Sequence, residues 1–173
     1  MDRSSTDRRN AIAAEVPRLM RYASALLRDR REAEDLVHDC VARALANLAA
    51  WREGDNPRRW LFTIMHNMNV DRIRARARSP QHVSLDDEQI AENGLRPSEQ
   101  ATRWEIDDAL ATLTEEQRQC VLLVGLEGLT YGEAALVLGV PVGTVMSRLC
   151  RGRERLRELL DYESTRPALR RIK

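Results

Sequence analysis

The chain has few of the residues that build β-sheets, and no segment that would cross a membrane. Aromatic residues make up 4% of its 173 residues, and alanine, leucine, glutamate and arginine dominate. These residue types favour helices over strands. No run of about 18 apolar residues is present, and the start, MDRSSTDRRN, lacks the apolar stretch of a signal peptide. We therefore expect an all-α protein of the cytoplasm, without membrane insertion.

Patterns for metal sites, cofactors and catalysis are missing as well. The three cysteines and three histidines have no zinc-ligand spacing. They are Cys40, Cys120, Cys150, His38, His66 and His82. There is no glycine-rich phosphate loop, and the closest nucleophile–base candidate, His66 near Asp71, is an ordinary pair on one helix. We expect reduced thiols and no metal, cofactor or catalytic site.

Lysine is nearly absent, since Lys173 is the only one among 28 basic residues. Arginine supplies the rest, and its planar fork suits phosphates and base edges, although a high-GC genome would give the same preference. The net charge of +1 is unevenly distributed: residues 1–80 hold sixteen arginines against eleven acidic residues, whereas residues 81–103 hold two against five. A basic N-terminal part is therefore followed by an acidic segment.

The residues from Leu129 to Leu160 carry the local signals of a helix-turn-helix. Thr130 and Glu133 have the spacing of a capping box, which begins a helix. Gly139 suits the left-handed conformation that ends it. Pro141 fits the first turn of a second helix. The second helix of such a motif enters the major groove of DNA.

At 100° per residue, the second helix separates into a core side and a free side. The expected core side consists of Val142, Val145, Leu149, Gly152 and Leu156. The free side offers base-contact candidates, which are Thr144, Ser147, Cys150 and Arg151. The candidates for phosphate contacts are Arg148, Arg153, Arg155 and Arg157. A solvated, charged face on an ordinary helix pair is the alternative.

Two amphipathic helices are predicted in the N-terminal part. The first, Glu34 to Leu48, has Asp35, Asp39 and Arg43 on its polar side. The second, roughly Pro57 to Arg76, has a packed stripe formed by Leu61, Ile64, Met65 and Met68. A different strip of the same helix contains Trp60, Asn67, Asp71 and Arg74. This combination suits a single-stranded or locally melted nucleic acid, unless Trp60 belongs to the core.

Residues 79–98 have the composition of an interdomain linker, with prolines at both ends, a glycine and a surplus of acidic residues. We therefore expect two small helical domains, residues 1–78 and 99–173, joined by a flexible acidic linker. In the second domain a helix should run from about Ser98 to Leu113. A capping box at Thr114 and Gln117 should open the next one, Glu115 to Leu126.

Three segments in this order resemble a known family. They are AEDLVHDCVARAL at Ala33–Leu45, RRWLFTIMHNMNVDRIR at Arg58–Arg74 and LTYGEAALVLGVPVGTVMSRLCRGRERLR at Leu129–Arg157. Over nearly its whole length the chain resembles a bacterial extracytoplasmic-function (ECF) sigma factor, the small two-domain type of RNA polymerase specificity subunit. DLVHDC together with WLFTIMHN is also similar to the proteobacterial group that serves general stress responses.

The resemblance implies that the two domains, regions 2 and 4 of a sigma factor, have different functions. Region 2 would dock on the β′ clamp helices of core RNA polymerase through Asp35, Asp39 and Arg43. It would also capture the unwound minus-10 element with the strip that contains Asn67 and Asp71, and would receive a flipped base at the loop Arg52–Arg58. Region 4 would bind the β flap and read the minus-35 element as duplex DNA. The family's base-contacting positions on its recognition helix correspond to Met146, Ser147, Cys150 and Arg151.

The resemblance also implies control by an anti-sigma factor.

Met146 departs from the family pattern, because many relatives carry lysine or arginine there. An apolar side chain could contact a thymine methyl but could not pair with guanine acceptors. Cys150 is similarly small where bulkier residues are common. The alternative function is a stand-alone regulator that binds an operator, which would leave the N-terminal strips unexplained.

Overall fold

The computed structural model describes residues 3–51, 56–78 and 106–164, and these residues are almost entirely helical. In the N-terminal block, α1 (Arg3–Leu27), α2 (Arg30–Ala46) and α3 (Pro57–Arg78) are long helices, with a short 3₁₀ turn at Leu48–Ala50. In the C-terminal block, α4 is described over 106–111, α5 (Glu115–Val121) and α6 (Tyr131–Leu138) are short, and α7 (Val142–Ser164) is long. The predicted all-α fold is confirmed for this part of the chain.

The N-terminal block is built around one apolar core between α1, α2 and α3. Asp29 caps α2 by accepting a hydrogen bond from the backbone N–H of Glu32 at 2.9 Å. In the core, the rings of Tyr22 and Phe62 meet edge to face, with centroids 5.1 Å apart. The buried apolar side chains around them include Ile12, Leu19, Leu26, Leu36, Cys40, Leu61 and Met65. The stripe predicted for α3 is thus the side that packs.

The local signals of the C-terminal block are realised as expected. Both predicted capping boxes form, at Thr114 with Gln117 and at Thr130 with Glu133. Gly139 ends α6 with φ of 64°. The helix that begins at Glu115 continues after Val121 as a π-helical turn, Leu122–Leu126. The helix-turn-helix is therefore formed by α6 and α7.

Close packing fixes α7 against α5. A Cβ atom added to Gly152 would lie 3.0 Å from Cγ2 of Val121. Val145 and Leu149 are buried, as the periodicity predicted. The prediction was wrong for Val142, which is 44% exposed. Val142 lies at the edge of the core side, one turn before the first buried residue, and none of the described helices covers it.

The two blocks contact each other directly. The side chain of Glu127, which follows the π-helical turn, is fully buried, and Arg21 of α1 donates to its two carboxylate oxygens at 2.9 and 3.0 Å. Nη1 of Arg18 lies 3.9 Å from the same carboxylate. On α3, Nδ2 of Asn69 donates to Oε1 of Glu115 at 3.2 Å. Polar and charged contacts therefore join the blocks, an arrangement that the sequence did not predict.

The linker predicted at residues 79–98 lies outside the described residues, as does the beginning of the helix predicted from Ser98. The described part of that helix ends at residue 111 and is followed by a turn, two residues before the predicted end. Within the described ranges, no group of histidines, cysteines and carboxylates could hold a metal ion. None of the described helices alone is long and apolar enough to cross a membrane, and α6 and α7 reach that length only as a pair bent by 103°.

Candidate nucleic-acid interface

The polar side of α2 presents an exposed face. Asp35, Asp39 and Arg43, spaced four residues apart, are all exposed. The opposite side of the helix is buried and includes Leu36 and Cys40. Because residues four apart lie above one another on a helix, the three charged groups form one strip. The predicted polymerase-facing residues are thus side by side and accessible.

A second exposed strip lies on α3. Asn67, Asp71 and Arg74 are exposed and lie on one side of the helix. Trp60 begins this strip and is half-buried. Its ring stacks on that of Trp51, with ring centroids 5.8 Å apart and an interplanar angle of 18°. The structure therefore brings the amide, the carboxylate and the guanidinium together, and ties the indole to a second aromatic ring.

The loop predicted to receive a flipped base is described only at its end, since residues 52–55 lie outside the described part of the chain. The side chain of Asn56 caps α3 by accepting a hydrogen bond from the backbone N–H of Arg58 at 3.0 Å. Its Nδ2 atom donates to Oε1 of Glu133 at 3.1 Å. These contacts hold the end of the loop against the first helix of the helix-turn-helix.

The outer side of α7 carries the third face. Of the seven predicted residues, five are exposed, namely Met146, Ser147, Cys150, Arg151 and Arg153. The two others, Thr144 and Arg148, are half-buried. The hydroxyl of Ser147 donates to the backbone oxygen of Thr144 at 3.0 Å, so its remaining hydrogen-bonding capacity is as an acceptor. Most of the predicted duplex-reading positions are accessible.

The three cysteines differ in how far they are buried. Burial raises the pKa of the Cys40 thiol to about 12 and also raises the pKa of Cys120. Cys150, by contrast, is exposed. A thiol reacts as its thiolate, so the two buried cysteines are unreactive near neutral pH. Cys150 is the accessible thiol among the three.

Comparison with known proteins decides between the two functions left open by the sequence. Residues 103–156 match the family described as sigma-70, region 4, and residues 12–66 match the sigma2 domain of PhyR. The chain is 36% identical over 155 residues to the ECF RNA polymerase sigma factor EcfG of Rhodopseudomonas palustris, with 88% of this chain and 84% of the relative covered. The chain belongs to the ECF sigma factors. It is thus a transcription initiation factor, which binds core RNA polymerase and directs initiation at promoters, rather than a stand-alone operator-binding regulator.

Other relatives agree with this assignment. The ECF sigma factor SigC of Mycobacterium tuberculosis is 34% identical over 140 residues, covering 76% of this chain and 72% of the relative. Among solved structures, the sigma factor RpoE of Bartonella quintana, in complex with the anti-sigma factor NepR, is 31% identical with a TM-score of 0.73, covering 90% and 97% of the two chains. CnrH, solved with the cytosolic domain of CnrY, shares the fold at 21% identity with a TM-score of 0.68, covering 92% and 96%.

Sequence reasoning missed the residues that join the two halves of this sigma factor. Besides the Glu127 cluster, Arg118 donates to the backbone oxygen of Leu26 at 3.0 Å. Within α5, the buried Gln119 donates at 2.9 Å to Glu115, which also accepts the hydrogen bond from Asn69 of α3. One signal was available in the sequence. Asn69 follows Met65 by four residues in the packed stripe of α3, and a polar residue at a core position requires a partner.

An apolar groove of about 760 Å³ lies beside this junction, between α1 and the C-terminal block. Its apolar lining includes Met20, Ile106, Leu110, Val121 and Leu126. Ile106 is 48% exposed and Leu126 is 38% exposed at its edge. The groove is therefore an apolar surface that is partly open to solvent.

Proposed function

We propose that this sigma factor uses its three exposed faces for three different partners. The Asp35, Asp39 and Arg43 face binds the β′ clamp helices, and the α3 strip with Trp60 captures the unwound minus-10 strand. The outer side of α7 reads the minus-35 duplex, and region 4 also contacts the β flap. Region 2 corresponds to residues 1–78, the linker to 79–98 and region 4 to 99–173. The protein works in the cytoplasm and has no catalytic chemistry of its own.

The observation that supports this assignment is the exposure of each strip on a helix whose other side is packed. On α2 and α3, charged and polar groups stand outward at helical spacing while the apolar stripe faces the core. Substitutions of surface groups of this kind usually change stability by about 0.5 kcal/mol or less, so these positions can serve binding at little cost to the fold. Membership of the sigma-factor family indicates which partners are bound, and exposure on the helices indicates which residues contact them.

The polymerase face is tested with run-off transcription and a direct binding assay on core polymerase. Reversing both carboxylates, Asp35→Arg with Asp39→Arg, should weaken core binding by at least about tenfold because like charges would then face the partner's complementary surface. Glu34→Arg is the matched control, since Glu34 is exposed on another side of the same helix, where it pairs with Arg30. Equal loss in both variants would contradict the assigned face.

The minus-10 strip is tested at a later step of initiation. Asn67→Ala with Asp71→Ala should leave core binding intact but reduce promoter melting, measured by permanganate reactivity of unpaired thymines. The reason is that contacts to an unwound strand contribute only after the duplex opens. A variant that melts the promoter normally would remove these two residues from the proposed strip.

We further infer that an anti-sigma factor of the NepR kind controls this protein and lays a helix in the apolar groove between α1 and the C-terminal block. RpoE of Bartonella quintana, a relative that covers most of the chain, is solved with NepR. The groove supports the same class of partner here, because its exposed edge residue Ile106 would be covered by such a helix.

Binding of Bartonella quintana NepR, measured by calorimetry with RpoE as the positive control, tests this inference. Ile106→Asp should weaken the complex by about tenfold or more, because a charge would enter an apolar contact. Leu45→Asp is the control, as Leu45 is 41% exposed on α2 and outside the groove lining. Absence of binding, or equal effects of the two substitutions, would argue against the groove.

A further inference from the structure

In the first turns of α7, an exposed stripe of apolar or weakly polar side chains runs from the edge of the core side towards the outer side. Val142, Met146 and Cys150 follow one another at intervals of four residues, which places them along one side of the helix. Val142 is 44% exposed and Met146 is 52% exposed, and Cys150 is an exposed free thiol. Three weakly polar or apolar side chains thus stand in solvent on the helix that enters the major groove in this class of motif.

Arginines surround the stripe in a definite order. At about 100° per residue, Arg153 and Arg157 continue the same side of α7 beyond Cys150, together with the exposed carboxylate of Glu154, four residues after Cys150. Arg151 lies about 100° around the helix from Cys150. All three arginines are exposed. The N-terminal half of this side therefore offers apolar contacts, and the C-terminal half offers arginines with one carboxylate, Glu154, among them.

The major groove of a DNA duplex has a matching distribution of chemistry. Phosphates line its rims, and base edges form its floor. Among the base-edge groups exposed in this groove, the C5-methyl of thymine is the apolar one, whereas the others are hydrogen-bond donors or acceptors. An apolar stripe followed by arginines therefore fits thymine methyls on the floor and phosphates on the rim.

We propose that Val142, Met146 and Cys150 read the C5-methyl groups of thymines in the upstream promoter element. This inference rests on the proposed function of α7 as the reader of the minus-35 duplex. Residues four apart rise by about 6 Å along a helix, which is close to the roughly 7 Å between base pairs two steps apart. Met146 lies at the centre of the stripe, and its unbranched thioether side chain adapts readily to an apolar contact.

Hydrogen-bonding readout is then left mainly to Arg151. The Ser147 hydroxyl donates to the oxygen of Thr144 at 3.0 Å and offers a base only an acceptor. Arg151 is exposed, and its guanidinium can pair with both acceptors of a guanine. The preferred element therefore combines thymines opposite the stripe with a guanine opposite Arg151.

The test begins with holoenzyme assembled from this chain and a bacterial core polymerase. The holoenzyme selects its upstream element from a duplex library that is randomised there. In the selected duplex, each thymine is then replaced by deoxyuridine, which removes only the methyl group. We expect enriched thymines whose replacement weakens binding by about three- to fourfold each, the change that burial of one methyl-sized group produces. The same replacement between the two promoter elements should have no effect.

Two variants link the effect to the stripe. Met146→Gln keeps the length of the side chain but should no longer distinguish thymine from deoxyuridine at the position that Met146 faces, while discrimination at the other thymines remains. Leu136→Gln is the control, because Leu136 is 61% exposed on α6, outside the stripe, and should keep the thymine preference. Circular dichroism checks that both variants fold.

The outcomes separate this inference from the function on which it rests. Equal affinity for the thymine and deoxyuridine elements would overturn the reading of thymine methyls while leaving promoter recognition intact. So would a Met146→Gln variant that discriminates at every thymine as strongly as the unchanged protein does. A holoenzyme that selects no upstream element at all would overturn the proposed function of α7, and this inference with it.

Discussion

Replacing Arg21 by alanine should destabilise this sigma factor more than replacing its partner Glu127 by glutamine. The two side chains differ in exposure, since the Glu127 side chain is fully buried and that of Arg21 is 49% exposed. Removal of Arg21 leaves a buried carboxylate with Arg18 at 3.9 Å as its remaining cation. Removal of the charge on Glu127 instead leaves two arginines that can turn to water.

The expected magnitudes follow from this asymmetry. Breaking a buried ion pair by removing one partner costs about 3–5 kcal/mol. We expect about 2–3 kcal/mol for Arg21→Ala, because water can enter the space of a half-exposed side chain and solvate the carboxylate. Glu127→Gln keeps an acceptor for Arg21 and should cost about 1 kcal/mol. The double variant should cost little more than Glu127→Gln alone, so that the coupling energy is about 2 kcal/mol.

Urea denaturation of the full chain, followed by circular dichroism and tryptophan fluorescence, measures these differences when the two transitions coincide. Arg28→Ala provides a matched control across the same junction. The Arg28–Asp108 pair is 3.1 Å long, but its side chains are 43% and 81% exposed, so its loss should cost less than about 0.5 kcal/mol. If Arg21→Ala costs no more than Glu127→Gln, or the two effects add, the buried pair does not join the two blocks as described.

Three further predictions concern single residues. Ellman's reagent should modify Cys150 rapidly in the native protein and the other two cysteines only after unfolding. Bound promoter DNA should protect Cys150 from the reagent. Fast reaction of a second thiol would contradict the described burial. Gly152→Ala should lower the free energy of unfolding by about 1 kcal/mol, because the new methyl would lie 3.0 Å from Val121. Gly143→Ala is the control, since Gly143 has open space around it, and should be neutral or slightly stabilising. Burial lowers the pKa of His66 below its ordinary value of 6.5, so the unfolded chain binds more protons and stability should fall as the pH drops below that value; an unchanged pH slope in His66→Gln would refute this contribution.

The local elements of the fold were predictable because their causes lie close together in the chain. A capping box joins residues three apart, so Thr114 and Thr130 could be recognised as helix starts without any knowledge of the tertiary structure. Gly139 ends α6 in the left-handed conformation, which glycine adopts without steric penalty. The same short-range periodicity separated the exposed face of α2 from its buried side.

Predictions failed or were incomplete where a residue's environment comes from a distant part of the chain. Val142 has the periodicity of a core residue, but burial requires a neighbouring helix, and none of the described elements covers it. Trp60 has the position of a stacking platform, but its ring packs on Trp51. The spacing of residues along a helix determines neither which distant residue packs on a side chain nor how exposed that side chain becomes.

The sequence by itself determined that this protein is helical, that its helix-turn-helix lies between Thr130 and α7, and which sides of α2, α3 and α7 are polar. Its motifs also indicated the sigma-factor family, which the comparison with known proteins confirmed. The tertiary structure alone decided that the two halves contact each other through a buried carboxylate, Glu127, held by Arg21. The physical reason is range: capping and periodicity act over three or four residues, whereas this ion pair joins residues 106 positions apart and exists only once both halves have folded.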